Sequence, residues 1–321
     1  MLSRVASNLY WTTRYLERAE NTARLINVHG NLLLDLPRHK TANFGWEPLL
    51  SMTASSNIFF EHYRVANETN VIKYLISDED NPSAILSALR AVRENLRTTR
   101  DVVPRECWED VNDLYLEVQD QLLVKGLSRR VRYDFLKRVI RNVQLITGLL
   151  HGTMSHGTAY NFMRIGCYLE RADMTSRILD VRSANLLRQE GDIDLTPFEN
   201  IQWMSVLKSL TAYQMYRQHV RLRVQGADVL NFLMRDQEFP RTILYCLQRI
   251  GYCLQSLPKK GPPTKVLKRT IQQLSKADVH MLAQNKATLH QFIDDLQVQL
   301  ADLHNSINST YFSIAEQNQA A

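Results

Sequence analysis

Two ten-residue stretches carry the side chains of this sequence that are best suited to binding or catalysis. YLERAENTAR (15–24) and YLERADMTSR (168–177) lie 153 positions apart and repeat the same aromatic and charged residues. A carboxylate in such a setting can act as a general acid or base, and guanidinium groups can clamp an anion. No catalytic residue can be assigned from the pattern alone. The repeated residues are candidate binding residues: Tyr15, Glu17, Arg18, Arg24, Tyr168, Glu170, Arg171 and Arg177.

The charged positions have diverged less between the two stretches than the apolar positions beside them. On the apolar face, Leu9 corresponds to Phe162 and Ala23 to Ser176. Glu17, Arg18 and Arg24, in contrast, are unchanged in Glu170, Arg171 and Arg177. Cores tolerate such changes of side-chain volume. A Glu-Arg pair that faced solvent would diverge freely, so we infer that this pair is enclosed, either by the rest of the protein or by a ligand.

Pairing within each helix explains only part of the pattern. Arg24 follows Glu20 by four residues, a spacing that stabilises a helix by a few tenths of a kcal/mol. Glu17 is followed at that spacing by Asn21, and Glu170 has no basic residue there either. Two interpretations remain open for these glutamates: a buried structural network between the two helices, or a site for a ligand or partner.

The structural interpretation predicts a definite geometry. The two helices that carry the stretches should cross where small side chains permit close approach, near Ala19 and Ala172. Both glutamates should then be buried, and at least one should contact an arginine of the other stretch, because an unpaired buried charge is strongly destabilising. The predicted pairs are Glu17 with Arg171 and Glu170 with Arg18.

A third candidate region is the segment DQEFPR (236–241). Asp236 precedes Pro240 by four residues, and we expect its carboxylate to cap the turn before a helix. Arg241 follows the proline and makes the start of that helix attractive to an anion. Both residues are added to the candidate binding set, with Pro82 and Pro240 expected in the first turns of their helices.

The apolar residues between the nine prolines recur at three- and four-residue spacing, which is the helical period. The sequence therefore predicts an all-α fold. The predicted helices are 3–35, 47–75, 82–101, 104–124, 129–152, 156–188, 198–234 (with a break near Gly226), 240–256, 264–275 and 278–313, and the main connections are 36–46, 189–197 and 257–263.

The repeat extends beyond the two charged stretches. Trp46 corresponds to Trp203, and YLISDEDNPSAIL (74–86) matches FLMRDQEFPRTIL (232–244). The sequence thus predicts two tandem, duplicated helical-bundle halves related by a pseudo-twofold axis and packed as one compact unit. The halves are 1–155 and 156–314, and residues 315–321 are predicted to be a disordered tail.

Composition excludes several classes of protein. No apolar run is long enough to span a membrane, the first residues lack the apolar stretch of a signal peptide, and the four cysteines form no CxxC pair. A cytoplasmic location is expected. The phosphate-binding patterns GxxxxGK[ST] and GxGxxG are absent, as is HExxH, so we expect neither a cofactor nor a metal.

Positive charge is concentrated in two segments, 125–141 and 259–269, while the whole chain carries a formal net charge of +6. Such segments can attract phosphates or an acidic partner, although a solvated helix face is their commoner explanation. No aromatic residues are interleaved as a single-stranded nucleic acid would require, and nucleic-acid binding is therefore not expected.

The two charged stretches, together with MSHGTAYNFMRIG (154–166) and FLMRDQEFPRTI (232–243), resemble the alpha-E family of helical bacterial proteins over nearly the whole chain. This resemblance implies a partner of circularly permuted ATP-grasp ligases, with a transglutaminase-like protein as a second companion. The implied function is a non-catalytic subunit that helps an amide or peptide ligase to bind an anionic or peptide substrate. The alternative is an enzyme of the same pathway that uses the Glu-Arg motifs as acid–base groups and anion clamps.

Overall fold

The computed structural model describes residues 1–35, 45–123, 129–186, 196–220 and 223–313. Throughout these ranges the regular structure is helical and no strand occurs, which confirms the all-α prediction. The predicted tail at 315–321 and most of the predicted connections at 36–46 and 189–197 lie outside the described residues.

Fifteen α-helices are present in the described ranges, and a short π-helical turn follows the last of them. They are α1 (Ser3–Asp35), α2 (Glu47–Met52), α3 (Ser56–His62), α4 (Glu68–Ser77), α5 (Ile85–Arg97), α6 (Arg105–Leu123), α7 (Arg129–Thr153), α8 (Thr158–Leu186), α9 (Thr196–Ser209), α10 (Tyr213–His219), α11 (Gly226–Arg235), α12 (Ile243–Gln255), α13 (Gly261–Lys276), α14 (Val279–Gln284), α15 (Lys286–Ile307) and the turn Asn308–Phe312.

Two long helices predicted from periodicity are each broken into three. The segment 47–75 breaks at Ala54 and again between His62 and Glu68, and the segment 198–234 breaks at Thr211 as well as before Gly226. Ala54 and Thr211 have φ values of 51° and 53°, and a left-handed residue interrupts the hydrogen-bond ladder of a helix. Apolar periodicity continues across both breaks because the short helices still bury one face, so the pattern alone did not reveal them.

Two helices begin later than the positions of the prolines predicted, because polar capping residues set their first turns. The helix predicted from 240 begins at Ile243, where the Thr242 side chain accepts a hydrogen bond from the Tyr245 backbone N–H. In the last predicted helix, Asn285 caps α15 through the Thr288 N–H and separates it from α14. Pro240 therefore lies in the turn before a helix rather than in its first turn, and so does Pro82.

The two helices that carry the Glu-Arg motifs lie at the centre of the fold. Helix α1 packs against α8, α5 and α7, and α8 packs against α1, α12 and α15. Ala19 and Ala172 are both fully buried. The apolar stripes of α1 and α8 therefore form the middle of the core, and helices α5, α7, α12 and α15 pack over them.

Helices α1 and α8 run side by side in the same direction rather than meeting only near the alanines. At one end, a Cβ added to Gly166 would overlap the carbonyl oxygen of Tyr10 and lie 2.8 Å from Thr13 Oγ1. At the other end, Arg182 donates to His29 Nδ1 at 3.0 Å. The contact thus extends along roughly five helical turns, and the Glu-Arg motifs lie within it.

Candidate functional site

The carboxylate of Glu17 lies between helix α8 and the start of helix α12. Arg171 Nε donates to its Oε1 at 2.7 Å, and the Cys167 thiol lies 3.2 Å from the same oxygen. Its other oxygen accepts from an Arg241 guanidinium nitrogen at 3.3 Å. Glu17 is only 2% exposed, so both of its oxygens are engaged by protein groups in place of water.

The carboxylate of Glu170 has an equivalent set of partners on α1. Arg18 Nε donates to Oε1 at 2.7 Å, and a terminal nitrogen of the same guanidinium donates to Oε2 at 3.1 Å. Arg14 Nε donates to Oε2 at 2.7 Å. Glu170 is also 2% exposed. The predicted burial of both glutamates and both predicted cross-helix pairs are therefore confirmed.

A third glutamate, Glu20, shares Arg241 with Glu17. Glu20 Oε1 accepts from the Arg24 Nε at 2.9 Å and from Arg241 at 2.9 Å. Arg241 also donates to the Asn21 side-chain oxygen at 3.0 Å. We call the resulting group the ER cluster, which consists of Glu17, Glu20, Glu170, Arg14, Arg18, Arg24, Arg171 and Arg241.

Three of these residues have positions that sequence reasoning did not foresee. Arg14 and Glu20 were not among the candidates, although each lies one helical turn from a motif residue and on its face. Arg241 was assigned to a helix start, but its guanidinium points into the ER cluster instead. The contact from Arg241 to Glu17 spans 224 residues, and no local pattern in the sequence indicates it.

The motif tyrosines lie beneath the motif arginines. The Arg18 guanidinium carbon is 5.5 Å from the centre of the Tyr15 ring, and that of Arg171 is 6.0 Å from the Tyr168 ring. Such cation–π contacts stabilise a guanidinium where water is scarce. Tyr15 is partly exposed, whereas Tyr168 is buried. Both rings therefore help to position the arginines.

Two charged candidates, Arg177 and Asp236, lie outside the ER cluster. Arg177 forms a pair with Asp173 at 2.9 Å within α8, which is the local pairing expected from their spacing. The Asp236 carboxylate accepts from the backbone N–H groups of Glu238 and Phe239 at 2.9 and 2.7 Å. Its predicted role as a cap is thus confirmed, and it holds the turn that leads to Arg241.

The ER cluster is arranged for stable ion pairing, not for proton transfer. Burial alone would raise the pKa of Glu17, but the Arg171 and Arg241 guanidinium groups outweigh that effect and hold the pKa well below its usual range. Arg14 and Arg18 lower the pKa of Glu170 in the same way. Both glutamates are therefore ionised at neutral pH, and each of their carboxylate oxygens already accepts a hydrogen bond from an arginine.

The thiol beside Glu17 is not an activated nucleophile. Burial raises the pKa of Cys167 to about 12, so it is protonated at neutral pH and the thiol is the form that meets the glutamate. The cavity that Glu17 and Cys167 line has a volume of about 20 Å³, which holds about one water molecule. A substrate cannot enter it without movement of the surrounding helices.

Within the described residues, one compact group of possible metal ligands lies apart from the ER cluster. It consists of Asp180, His290 and Asp294. His290 Nδ1 lies 2.6 Å from an Asp180 oxygen, and its Nε2 lies 3.5 Å from an Asp294 oxygen. The two ring nitrogens therefore already have carboxylate partners, and an ordinary exposed ion pair accounts for the geometry.

The comparisons with known proteins also find a helical domain with an ER motif. The sequence profile of the Alpha-E family, described as a predicted alpha-helical domain with a conserved ER motif, matches residues 1–312. The chain belongs to the Alpha-E family. Glu17-Arg18 and Glu170-Arg171 are its two Glu-Arg pairs, and the structure shows how they bind one another.

Relatives of this Alpha-E chain include uncharacterised proteins of Mycobacterium bovis and of two strains of Mycobacterium tuberculosis. Each is 20% identical over an alignment that covers 98% of this chain and 36% of the relative. The chain therefore spans about a third of the length of the curated relatives it matches. No solved structure matches it. Within the described ranges, no helix is both long and apolar enough to cross a lipid bilayer.

Proposed function

We propose that this Alpha-E chain is a non-catalytic helical partner of an ATP-grasp type amide or peptide ligase, and that it helps to bind or position an anionic or peptide substrate. The observation that carries the proposal is that the motif glutamates of the ER cluster already have arginine partners within the protein. Both oxygens of Glu17 and of Glu170 already accept hydrogen bonds from arginines, and both side chains are buried. The most characteristic residues of the chain thus stabilise a scaffold.

The length of the relatives supports a role as one part of a larger system. In the mycobacterial relatives, a segment similar to this chain is joined to a further two thirds of polypeptide. A helical unit in that setting has neighbouring domains with which to act. That the partner is an ATP-grasp ligase comes from the family resemblance, which also extends to transglutaminase-like companions.

The alternative function, an enzyme that uses Glu17 and Glu170 as acid–base groups, is disfavoured by the same geometry. A general base must reach the proton it removes, with a pKa near the working pH. Both glutamates are enclosed, and the guanidinium groups hold both pKa values well below the usual range, despite the opposing effect of burial. Catalysis by these residues would require the central helices to separate.

We further infer that the chain is a tandem duplication whose halves are related by a pseudo-twofold axis. The reciprocal pairs Glu17–Arg171 and Glu170–Arg18 support it. The packing of α1 on α5 and α7 resembles that of α8 on α12 and α15. In this arrangement, each half supplies one motif, and neither glutamate is neutralised until the halves meet.

Co-purification tests the proposed partnership. The tagged chain is expressed with the ATP-grasp ligase of the same organism, and both the retained proteins and the ATP-dependent product are measured. We expect the ligase to be retained and its product yield to depend on the chain. A ligase that is neither retained nor altered in its product would contradict the proposal. Activity of the chain on its own, lost in a folded Glu170→Gln variant, would favour the enzyme instead.

A further inference from the structure

A basic groove lies outside the ER cluster, between helices α8, α12 and α13. Its inner part has a volume of about 500 Å³ and includes Arg164 and Arg249. Its outer part has a volume of about 910 Å³ and includes Lys260, Lys265 and Lys268. The two parts share Arg249 as a lining residue. We define the basic groove by these five cations.

Positive charge in the groove is not neutralised by the described residues of the protein. Within the described residues, none of the groove's lining residues is acidic, and Arg164, Arg249, Lys265 and Lys268 form no ion pair. The arginines of α5 are different, since Arg93 and Arg97 both contact Glu94. Clefts lined by charge of one sign attract ligands of the opposite sign. The groove thus has the electrostatics of an anion-binding surface.

Arg164 marks the inner end of the groove. It is half-buried, and its guanidinium carbon lies 4.4 Å from the centre of the Tyr168 ring and 5.8 Å from that of Tyr160. Among the described residues no carboxylate or carbonyl group accepts a hydrogen bond from it. Removing a charge from water is costly unless an opposite charge is supplied, and a carboxylate in the groove would supply it.

Other features of the lining favour a peptide over a nucleic acid. Single-stranded nucleic acids bind by stacking bases on open aromatic faces. Here the Tyr245 ring is covered by Arg249 at 5.0 Å, and the Tyr160 ring is stacked on His156 at 4.0 Å. Tyr252, which is exposed, is then the one described tyrosine of the lining with an open ring, and a single ring cannot stack successive bases. The side-chain amides of Gln237, Gln248, Gln255 and Asn161 line the groove as well. Such amides both donate and accept hydrogen bonds and therefore suit a peptide backbone.

We propose that the basic groove binds an acidic segment of polypeptide, with one carboxylate on Arg164 and others on Arg249, Lys265 and Lys268. This proposal rests on the proposed role in substrate binding and deepens it by naming the surface and the substrate chemistry. Its test requires no ligase. If the groove binds the peptide but the ligase does not co-purify, the assignment of the groove stands and the ligase partnership is refuted. If the ligase co-purifies but the peptide does not bind, only the assignment of the groove is refuted.

Fluorescence anisotropy with a labelled glutamate-rich octapeptide measures this binding directly, at about 150 mM salt, where weak long-range attraction is screened. A glutamine-for-glutamate peptide should bind at least about 10-fold more weakly, because it offers no charge-assisted hydrogen bonds. Arg249→Gln, at an exposed position, and the double variant Lys265→Gln with Lys268→Gln should each weaken binding about 5-fold or more. Arg164→Gln, checked for folding by circular dichroism, should weaken it most.

The control is the double variant Arg105→Gln with Lys137→Gln, which removes the same charge from exposed positions on α6 and α7. Its affinity should match that of the unaltered protein. Equal affinity for the glutamate and glutamine peptides would overturn the proposal, as would unchanged binding by Arg249→Gln. Tighter binding of a single-stranded oligonucleotide or of tripolyphosphate at the same salt would also overturn it. Sedimentation also tests whether the protein self-associates. Self-association that is lost in the double lysine variant would show that the groove binds a second copy of this chain and would overturn the proposal.

Discussion

Arg14 and Arg241 supply the same kind of contact from different places in the chain. Each motif glutamate has one arginine partner from the other motif, and each has a second arginine as well. The residue 153 positions after Arg14 is Cys167, so Glu17 cannot obtain its second arginine from the equivalent site. Arg241 provides it from the turn before α12, and the number of cations per glutamate is preserved.

Removal of one motif carboxylate should be strongly destabilising. Glu170→Gln leaves the buried guanidinium group of Arg14 and the partly buried one of Arg18 without an anion, so we expect the free energy of unfolding to fall by about 3–5 kcal/mol. Urea denaturation followed by circular dichroism measures it. The control Glu109→Gln removes an exposed carboxylate paired with Arg105, and the cost there should be below about 1 kcal/mol. Similar costs for the two variants would contradict a structural role.

The same glutamates should make stability depend on acidity. Although burial alone would raise their pKa values, the arginines lower the pKa of Glu17 and of Glu170 from 4.5 to about 2. The unfolded chain therefore binds more protons in that interval. Their stabilising contribution is complete above pH 4.5 and is lost as the pH falls through about 2.

Thermal denaturation between pH 5 and pH 2 checks the sign and the source of this effect. Melting temperature should fall with falling pH, and it should fall less steeply for Glu170→Gln, which has lost one of the two carboxylates with a lowered pKa. Each such carboxylate contributes a slope of up to about 1.4 kcal/mol per pH unit. Parallel curves for the two proteins would show that Glu170 does not contribute.

At the scale of helices, the close contact of α1 and α8 depends on a glycine as much as on the alanines. Gly166→Ala should destabilise the protein by about 1–3 kcal/mol, because the new methyl group would overlap the Tyr10 backbone and cannot be relieved by a rotamer change. Gly148 lies inside α7 with nothing within 4 Å of its hypothetical Cβ. Gly148→Ala should therefore be neutral or stabilising by up to about 1 kcal/mol. Chemical denaturation compares the two, and a harmless Gly166→Ala would rule out the close approach.

The helices also show what the sequence predicts well and where it fails. Helices α1 and α8 were predicted nearly to their ends because their apolar stripes are long and uninterrupted. The breaks at Ala54 and Thr211 were missed, since both residues adopt positive φ without being glycine. The cross-helix ion pairs were predictable because Glu17 and Glu170 lack intrahelical partners. The contacts of Arg241 with the ER cluster were not predictable, because they depend on how a turn distant in sequence packs against α1.

At the scale of the whole molecule, the ER cluster joins segments that are far apart in the chain. The exchange Glu17→Arg with Arg18→Glu would place like charges together inside the cluster, so we expect little folded protein. The matching exchange on α6, Glu109→Arg with Arg105→Glu, concerns an exposed pair and should be tolerated. Near-ultraviolet circular dichroism and soluble yield distinguish these outcomes, and a fully folded Glu17 exchange would contradict the network.

The most direct test of the account compares two variants of reduced stability, Glu17→Gln and Gly166→Ala. One alters a motif carboxylate, and the other alters a backbone contact elsewhere along the same pair of helices. The folded fraction and the product yield of the proposed partner ligase are measured together over a range of temperatures. If the motif is a scaffold, product yield will follow the folded fraction along one common curve for both variants. A Glu17→Gln protein that is fully folded yet has lost the product, while Gly166→Ala retains it, would show that the motif is a catalytic site.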